Sequence, residues 1–140
     1  MEYFNTNASS ARTTVSARYK AVAAECSAAG GSKTSVSCGD GGKYCSRSYV
    51  AYTLDRRNAL SSIVYCDYYF TTAPALPAGC WRNSRATTTL HENTHVSAVY
   101  NPGTGDLAYE KSAIKALSAS QTVVNAECYE QYSAGKFQDR

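Results

Sequence analysis

The chain has 140 residues, of which 44% are hydrophobic and 18% charged, and its formal net charge is +3. That length is typical of one domain and is enough to bury a core, so a disordered tail is excluded. No stretch approaches the roughly 20 apolar residues of a membrane span, and the scattered basic residues form no stripe that would bind nucleic acid. We therefore expect a single monomeric domain over residues 1–140, without a membrane or nucleic-acid partner.

Apolar spacing and turn residues predict helices around a small sheet. Within 10–29 the apolar residues recur at helical spacing, and Gly30-Gly31 would end that helix. Two short runs rich in β-branched and aromatic residues, 49–54 and 62–66, predict strands of a small antiparallel sheet. The other predicted helices run from Arg85 to the turn at Asn101-Pro102-Gly103, over 109–117, and from a cap at Ser120 to about Ala134. The predicted fold class is therefore α+β and mostly helical.

One motif predicts a metal site. Residues 91–95 read His-Glu-Asn-Thr-His, an H-E-x-x-H pattern that contains both of the protein's two histidines. On a helix, positions i and i+4 share a face, so His91 and His95 can bind one zinc ion. Glu92 can then act as general base toward a zinc-activated water. The alternative, a surface helix with two histidines by chance, is much weaker because the full motif is rare in so short a chain.

The third zinc ligand cannot be a histidine and must be a carboxylate, a thiolate or a tyrosinate. A longer H-x-x-G-x-x-H extension fails, since Ala98 and Asn101 occupy the required positions. Asp106 is the best candidate, because the turn at 101–103 directs the chain back toward the preceding helix. The competing interpretation is that Asp106 only caps the next helix.

The H-E-x-x-H motif, followed by Gly103-Thr104-Gly105-Asp106-Leu107-Ala108-Tyr109, resembles the paired signatures of the deuterolysin family, the aspzincin metalloendopeptidases. The likeness covers nearly the whole chain. It implies a zincin-like fold and a secreted zinc metalloendopeptidase that hydrolyses protein or peptide substrates. It also implies one Zn²⁺ ion bound by His91, His95 and Asp106, with Glu92 as the base and Tyr109 stabilising the oxyanion.

The six cysteines contain no C-x-x-C pair and suggest three disulfides in an oxidising compartment. The family resemblance implies the pair Cys45–Cys66. Other family disulfides use cysteines that this sequence lacks, one of them in an N-terminal helical segment that we expect to be missing here. Elimination then predicts the remaining pairs, which are Cys26–Cys38 and Cys80–Cys128.

Two acidic residues near the C-terminus suggest a substrate preference. The stretch Asn125-Ala126-Glu127-Cys128-Tyr129-Glu130 resembles the N-A-D-x-x-E segment of peptidyl-Lys metalloendopeptidases, a branch of the same family. In that branch the two carboxylates line the pocket for a lysine after the cut bond. The resemblance implies this role for Glu127 and Glu130, while the alternative is two solvated glutamates on an exposed helix face.

A rival function for the whole protein is a secreted, disulfide-rich binding or effector protein that is catalytically inactive on a protease scaffold. Such a protein could keep zinc as a structural ion. The complete set of motif residues argues against it, because a decayed protease usually loses its base first.

Overall fold

The fold comes from a computed structural model that describes residues 3–28, 32–41, 43–47, 49–56 and 60–138. Within these ranges, no helix is both long enough and apolar enough to cross a membrane. The first element is helix α1 (Ser9–Ser27), close to the predicted bounds, and the predicted glycine stop at Gly30-Gly31 lies outside the described residues. Its core-facing side is partly charged, since the buried positions are Val15, Arg18, Val22 and Glu25.

The sheet has three strands, β1 (Thr34–Cys38), β2 (Ala51–Leu54) and β3 (Ser61–Tyr65), in the order β1-β3-β2. Strand β2 runs antiparallel to β3 as predicted, but β1 runs parallel to β3. The sheet is therefore mixed, and the expectation of a fully antiparallel sheet is wrong with respect to β1. Sequence reasoning missed β1 because four of its five residues are exposed and it contains a single apolar aliphatic residue. Such a strand has no hydrophobic alternation to reveal it.

Five further helices follow the sheet: α2 (Asp67–Thr71), α3 (Arg85–His95), α4 (Lys111–Ala116), α5 (Ala119–Thr122) and α6 (Ala126–Gln138). Helix α3 begins as predicted but ends at His95, because the backbone at Val96 is extended and its side chain enters the core. The predicted last helix is two helices. The cap is Ser118 rather than Ser120, and Gly135 lies inside α6, where a Cβ would stand 2.6 Å from the Tyr3 hydroxyl.

The disulfide pattern is only partly as predicted. Cys45 and Cys66 are bonded, while the other four cysteines, all within the described residues, carry free thiols. The predicted pairs Cys26–Cys38 and Cys80–Cys128 are therefore wrong in this structure. Cys128 is buried and its Sγ accepts a hydrogen bond from Asn125 Nδ2 at 3.3 Å, so its thiol faces the core, whereas Cys80 is exposed. Pairing the remaining cysteines by elimination does not show whether their Cα atoms lie within the roughly 7 Å that a disulfide requires.

Two hydrophobic clusters form the core of the described residues. One cluster, around Phe4, Ile114 and Tyr129, joins α1, α4 and α6, and the other, around Val22, Ile63 and Val96, joins α1 and the sheet to the segment after α3. Helix α3 packs against α6 on one side and against β2 on the other. The H-E-x-x-H motif therefore lies between a helix and the edge of a sheet. The α+β, mostly helical class is confirmed.

Candidate metal centre and active site

The two histidines of the motif lie on one face of α3, as their spacing predicts. Their ring centroids are 5.0 Å apart. The helix begins with a capping box in which Ser84 Oγ accepts from the Thr87 backbone N–H at 3.1 Å and Thr87 Oγ1 accepts from the Ser84 backbone N–H at 2.9 Å. This cap satisfies backbone donors at the buried start of the helix and so fixes the direction in which the histidines project.

Asp106 joins the two histidines. Its Oδ1 atom lies 3.1 Å from His91 Nε2 and 3.4 Å from His95 Nε2. Zinc bonds of about 2.0–2.1 Å in a tetrahedral arrangement separate neighbouring ligand atoms by about 3.3–3.4 Å. Two imidazole nitrogens and a carboxylate oxygen form a common zinc donor set, so these three residues fit a zinc ion in both chemistry and spacing.

The loop that carries Asp106 is pinned at both ends. Before it, the Thr104 backbone N–H donates to Thr94 O at 3.0 Å, and a Cβ at Gly103 would overlap the carbonyl oxygen of His95. After it, the fully buried Asn125 side chain accepts from the backbone N–H of Leu107 at 2.8 Å and donates to Ala108 O at 3.0 Å. These contacts hold the carboxylate against the end of α3.

Arg18 braces this loop from α1. The residue is 1% exposed, and its guanidinium donates to Pro102 O at 2.7 Å and to Val123 O at 3.1 Å. It also lies over the rings of Tyr100 and Tyr129, at 4.8 and 5.0 Å from their centroids. Burial lowers the pKa of Arg18, an effect that the two rings partly oppose. The charge therefore links α1 to both segments that flank Asp106 and Asn125.

The far side of the His91 ring faces Glu127 and Glu130, both almost fully buried. His91 Nδ1 lies 3.0 Å from Glu130 Oε2 and 3.5 Å from Glu127 Oε2, although neither oxygen is aligned as a hydrogen-bond acceptor. The other oxygens accept from Thr87 Oγ1 at 2.8 Å and Gln131 Nε2 at 2.6 Å. The pair is thus neither solvated nor on an exposed helix face, and it contacts a metal-ligand candidate from behind.

Glu92 is buried beside the sheet rather than among the ligands. Thr53 Oγ1, on strand β2, donates to Glu92 Oε2 at 2.7 Å. Burial raises the pKa of Glu92, and the neighbouring His91 partly offsets this rise. A carboxylate with a raised pKa, held by one hydroxyl, is suited to taking and returning a proton.

Tyr109 covers the open side of the site. Its ring stacks on His91 with an interplanar angle of 10° and a centroid separation of 6.3 Å, while 55% of the residue is exposed. Partial burial, together with the Asp106 carboxylate, raises the pKa of the Tyr109 hydroxyl. The hydroxyl therefore stays protonated at neutral pH and is available as a hydrogen-bond donor.

The electrostatics of the site favour a cation. Burial alone would lower the pKa of His91, but Asp106, Glu127 and Glu130 outweigh it and raise that pKa well above its ordinary value. Burial likewise would raise the pKa of Asp106, yet the two imidazoles hold it far below its usual range. Several carboxylates thus surround two histidines, and this excess of negative charge stabilises added positive charge.

These residues line one open cavity of about 1270 Å³. Strand β2 and Tyr49 form one wall, the motif and Asp106 form the floor, and α6 contributes Glu127 and Glu130. The volume exceeds that of a typical small-molecule pocket, which suits an extended ligand such as a peptide chain.

The fold matches that of a solved zinc peptidase. A zinc peptidase from Grifola frondosa has the same fold, with a TM-score of 0.70 over 94% of this chain and 72% of that chain, at 24% sequence identity. The sequence profile of the deuterolysin metalloprotease (M35) family matches residues 1–138, and the chain belongs to that family. The resemblance noted in the sequence is thereby confirmed.

Individual relatives agree with this assignment. A neutral protease 2 homologue from Aspergillus fumigatus is 47% identical over 134 residues, covering 96% of this chain and 35% of the relative. Penicillolysin from Penicillium citrinum is 46% identical over 132 residues, covering 94% of this chain and 37% of the relative. The chain thus spans about a third of the length of these curated relatives.

The structure brings together all seven residues that the sequence proposes for the site: His91, Glu92, His95, Asp106, Tyr109, Glu127 and Glu130. Sequence reasoning gave no role to Thr53, which contacts Glu92, or to Arg18 and Asn125, which brace the Asp106 loop. The position of Arg18 within the apolar stripe of α1 was the one sequence signal that this residue is buried. Thr53 carried no signal, because its contact joins residues 39 positions apart.

Proposed function

We propose that the protein is a secreted zinc metalloendopeptidase that binds one Zn²⁺ ion through His91, His95 and Asp106. The observation that carries this proposal is the spacing of these three donors, with Glu92 beside them in one open cavity. Residues 1–140 would act as a single catalytic domain and as a monomer. The Cys45–Cys66 disulfide supports an oxidising, extracellular location.

Zinc at this site would supply a Lewis acid that polarises the substrate carbonyl and lowers the pKa of water to about 7. Glu92 accepts a proton from the water that attacks the peptide carbonyl carbon, and Thr53 orients its carboxylate. When the C–N bond breaks, Glu92 delivers that proton to the leaving amine, and the water oxygen remains on the new carboxyl group. The Tyr109 hydroxyl donates to the carbonyl oxygen while it carries negative charge.

Strand β2 would align the peptide substrate. It is an edge strand of the sheet, and Cys66 donates its backbone N–H to Val50 O, so the hydrogen-bonded pairs continue at Tyr52. The backbone groups of Ala51 and Thr53 consequently point toward the open edge. An extended peptide can add there as a further strand, with main-chain hydrogen bonds that do not depend on its sequence.

A preference for lysine after the cut bond is part of the proposal. Its support is the pair Glu127 and Glu130, whose negative charges line the same cavity as the metal ligands. Each carboxylate already contacts His91 and one polar side chain, but a carboxylate has about four acceptor sites, so capacity for an ammonium group remains. Sequencing the fragments of a digested, denatured protein tests this preference. Cuts scattered before many residue types would overturn it.

The proposed activity is tested by comparing casein cleavage by the zinc-loaded wild type and by Glu92→Gln. We expect chelator-sensitive cleavage by the wild type, a fall of about 10²–10⁴-fold in kcat for the variant, and one zinc per chain in both. Exposed Glu110→Gln is the matched control and should cleave like the wild type. An inactive wild type with zinc bound would overturn the proposal and favour the binding-protein alternative, which no comparison supports.

A further inference from the structure

Three tyrosines form a compact cluster beside strand β2. The ring centroids of Tyr44 and Tyr52 are 5.1 Å apart, those of Tyr49 and Tyr52 are 6.4 Å apart, and those of Tyr44 and Tyr49 are 6.5 Å apart. All three pairs meet edge to face, at interplanar angles between 67° and 75°. The Arg47 guanidinium lies over the Tyr44 ring, 5.6 Å from its centroid, so the half-exposed Tyr49 ring offers the surface for a further flat or apolar group.

Two of the three rings are exposed, and Tyr52 is partly buried between them and the sheet. Tyr44 and Tyr49 are 44% and 46% exposed. Aromatic rings normally bury 150–250 Å² each, so two half-exposed rings packed on the partly buried Tyr52 keep apolar surface in contact with water. Exposed aromatic surface of this kind typically marks a place where a ligand or partner binds.

The cluster is also held in place before any ligand arrives. Asp40 accepts hydrogen bonds from the Tyr52 hydroxyl at 3.1 Å and from the backbone N–H groups of Lys43, Tyr44 and Cys45 at 3.0, 2.6 and 3.1 Å. The Cys45–Cys66 disulfide then fastens this segment to the residue that follows β3. A preorganised surface loses less conformational entropy on binding than one that must first be ordered.

The cluster continues directly into the metal cavity. Tyr49 and Tyr52 line the same cavity as His91 and Glu92. The residue after Tyr52, Thr53, holds the Glu92 carboxylate. A peptide that lies along β2 with a carbonyl at the metal centre would therefore pass its side chains over these rings.

We propose that Tyr44, Tyr49 and Tyr52 form an aromatic subsite that binds one aromatic or other large apolar side chain of the peptide substrate. The subsite lies on the β2 side of the cavity, apart from Glu127 and Glu130, and takes a residue of opposite chemistry to the lysine that those acids would take. This inference rests on the proposed peptidase function. It makes cleavage depend on a second substrate residue as well as on the one next to the cut bond.

The test uses a set of peptides in which a single Phe is moved, position by position, along an otherwise Ala- and Ser-rich sequence around one Lys. For the zinc-loaded wild type, one Phe position should lower KM by about 3- to 10-fold relative to the Phe-free parent, with little change in kcat. Tyr49→Ala should abolish that gain, so that the Phe-containing peptide and the Phe-free parent have the same KM in this variant. Tyr49→Phe, which keeps the ring, should retain the gain.

Tyr68→Ala is the control, because Tyr68 is 52% exposed on α2 and does not line the cavity. It should preserve the Phe gain in full. Equal KM values for all peptides with the wild type, or an unaltered gain in Tyr49→Ala, would overturn the subsite while the peptidase function stands. Failure of the wild type to cleave any peptide would overturn the peptidase function, and the subsite with it.

Discussion

The two walls of the cavity are stabilised by different kinds of interaction. The metal wall, made of α3, the Asp106 loop and α6, depends on buried polar side chains such as Arg18 and Asn125, which bind backbone atoms far away in sequence. The sheet wall, made of β1, β2, β3 and their connections, depends on the Cys45–Cys66 disulfide and on carboxylates that collect several backbone N–H groups. The first arrangement fixes the positions of the candidate zinc ligands, whereas the second stabilises a surface.

This difference has a physical consequence. A metal centre tolerates errors of only a few tenths of an ångström in donor position. The side chains that position the donors must therefore make specific hydrogen bonds and be shielded from water. A wall that binds a peptide requires a defined strand edge but not this accuracy in atomic position. A disulfide and a few carboxylates that accept several backbone hydrogen bonds are sufficient to hold it. Changes on the metal wall should therefore alter zinc affinity, and changes on the sheet wall should alter the free energy of unfolding.

The largest effect should come from Asp106→Asn, which keeps the shape of the ligand and removes its charge. We expect zinc affinity, measured by competition with a chelator, to fall by more than about 100-fold. The two proteins are compared at a temperature at which both metal-free forms are folded. Exposed Asp67→Asn is the control. An unchanged zinc affinity in Asp106→Asn would remove it from the ligand set.

On the sheet wall, replacing both Cys45 and Cys66 by Ser should lower the free energy of unfolding by about 3 kcal/mol, since their sequence separation is 21 residues. Denaturant unfolding measures this loss. Zinc affinity of the folded variant should match the wild type. Cys26→Ser, at an exposed free thiol, should leave stability unchanged. A large loss of zinc affinity in the double variant would show that the two walls are not independent.

Glu25→Gln should reduce stability by about 2–3 kcal/mol at neutral pH. Burial alone would raise the pKa of Glu25, but hydrogen bonds from Lys33, Ser32 and Thr34 outweigh it and lower the pKa to about 2. A folded pKa below the unfolded value of about 4.3 gives stability that is complete above pH 4.3 and is lost as the pH falls toward 2.

The wild type should therefore lose stability between about pH 5 and pH 2 more steeply than Glu25→Gln. Unfolding by urea across that pH range measures the difference. Exposed Glu110→Gln serves as the reference and should follow the wild type. Parallel curves for Glu25→Gln and the wild type would mean that Glu25 is not the hub that joins α1 to β1.

The smallest effect should come from the carboxylates behind His91. Because Glu130 lies closer to Nδ1 than Glu127 does, at 3.0 against 3.5 Å, Glu130→Gln should weaken zinc binding by about 10-fold or more, and Glu127→Gln by less. Zinc release to a chelator, followed over time, ranks the two variants. The reverse order would show that hydrogen bonding to Gln131, rather than distance to His91, decides which carboxylate matters.

Much of the metal wall was predictable because its candidate zinc ligands lie close together in the sequence. The spacing of His91 and His95 fits one helical turn, and the loop to Asp106 is short enough for turn residues to indicate its direction. The sheet wall was less predictable. Strand β1 lacks alternation, its parallel pairing with β3 joins distant segments, and Glu25 gives no local sign that it receives hydrogen bonds from residues 32–34.

Local spacing in the sequence was sufficient for the helical character, and the motif resemblance was sufficient for the family and for the Cys45–Cys66 bond. The zinc ligands His91, His95 and Asp106 stay a prediction. Packing was needed to set the mixed sheet, the four free thiols, the place of Glu127 and Glu130 behind His91, and the tyrosine cluster at the rim. These features depend on which distant segments meet. Which distant segments meet is decided by how the whole chain buries its apolar surface, and the sequence of one segment alone does not reveal this.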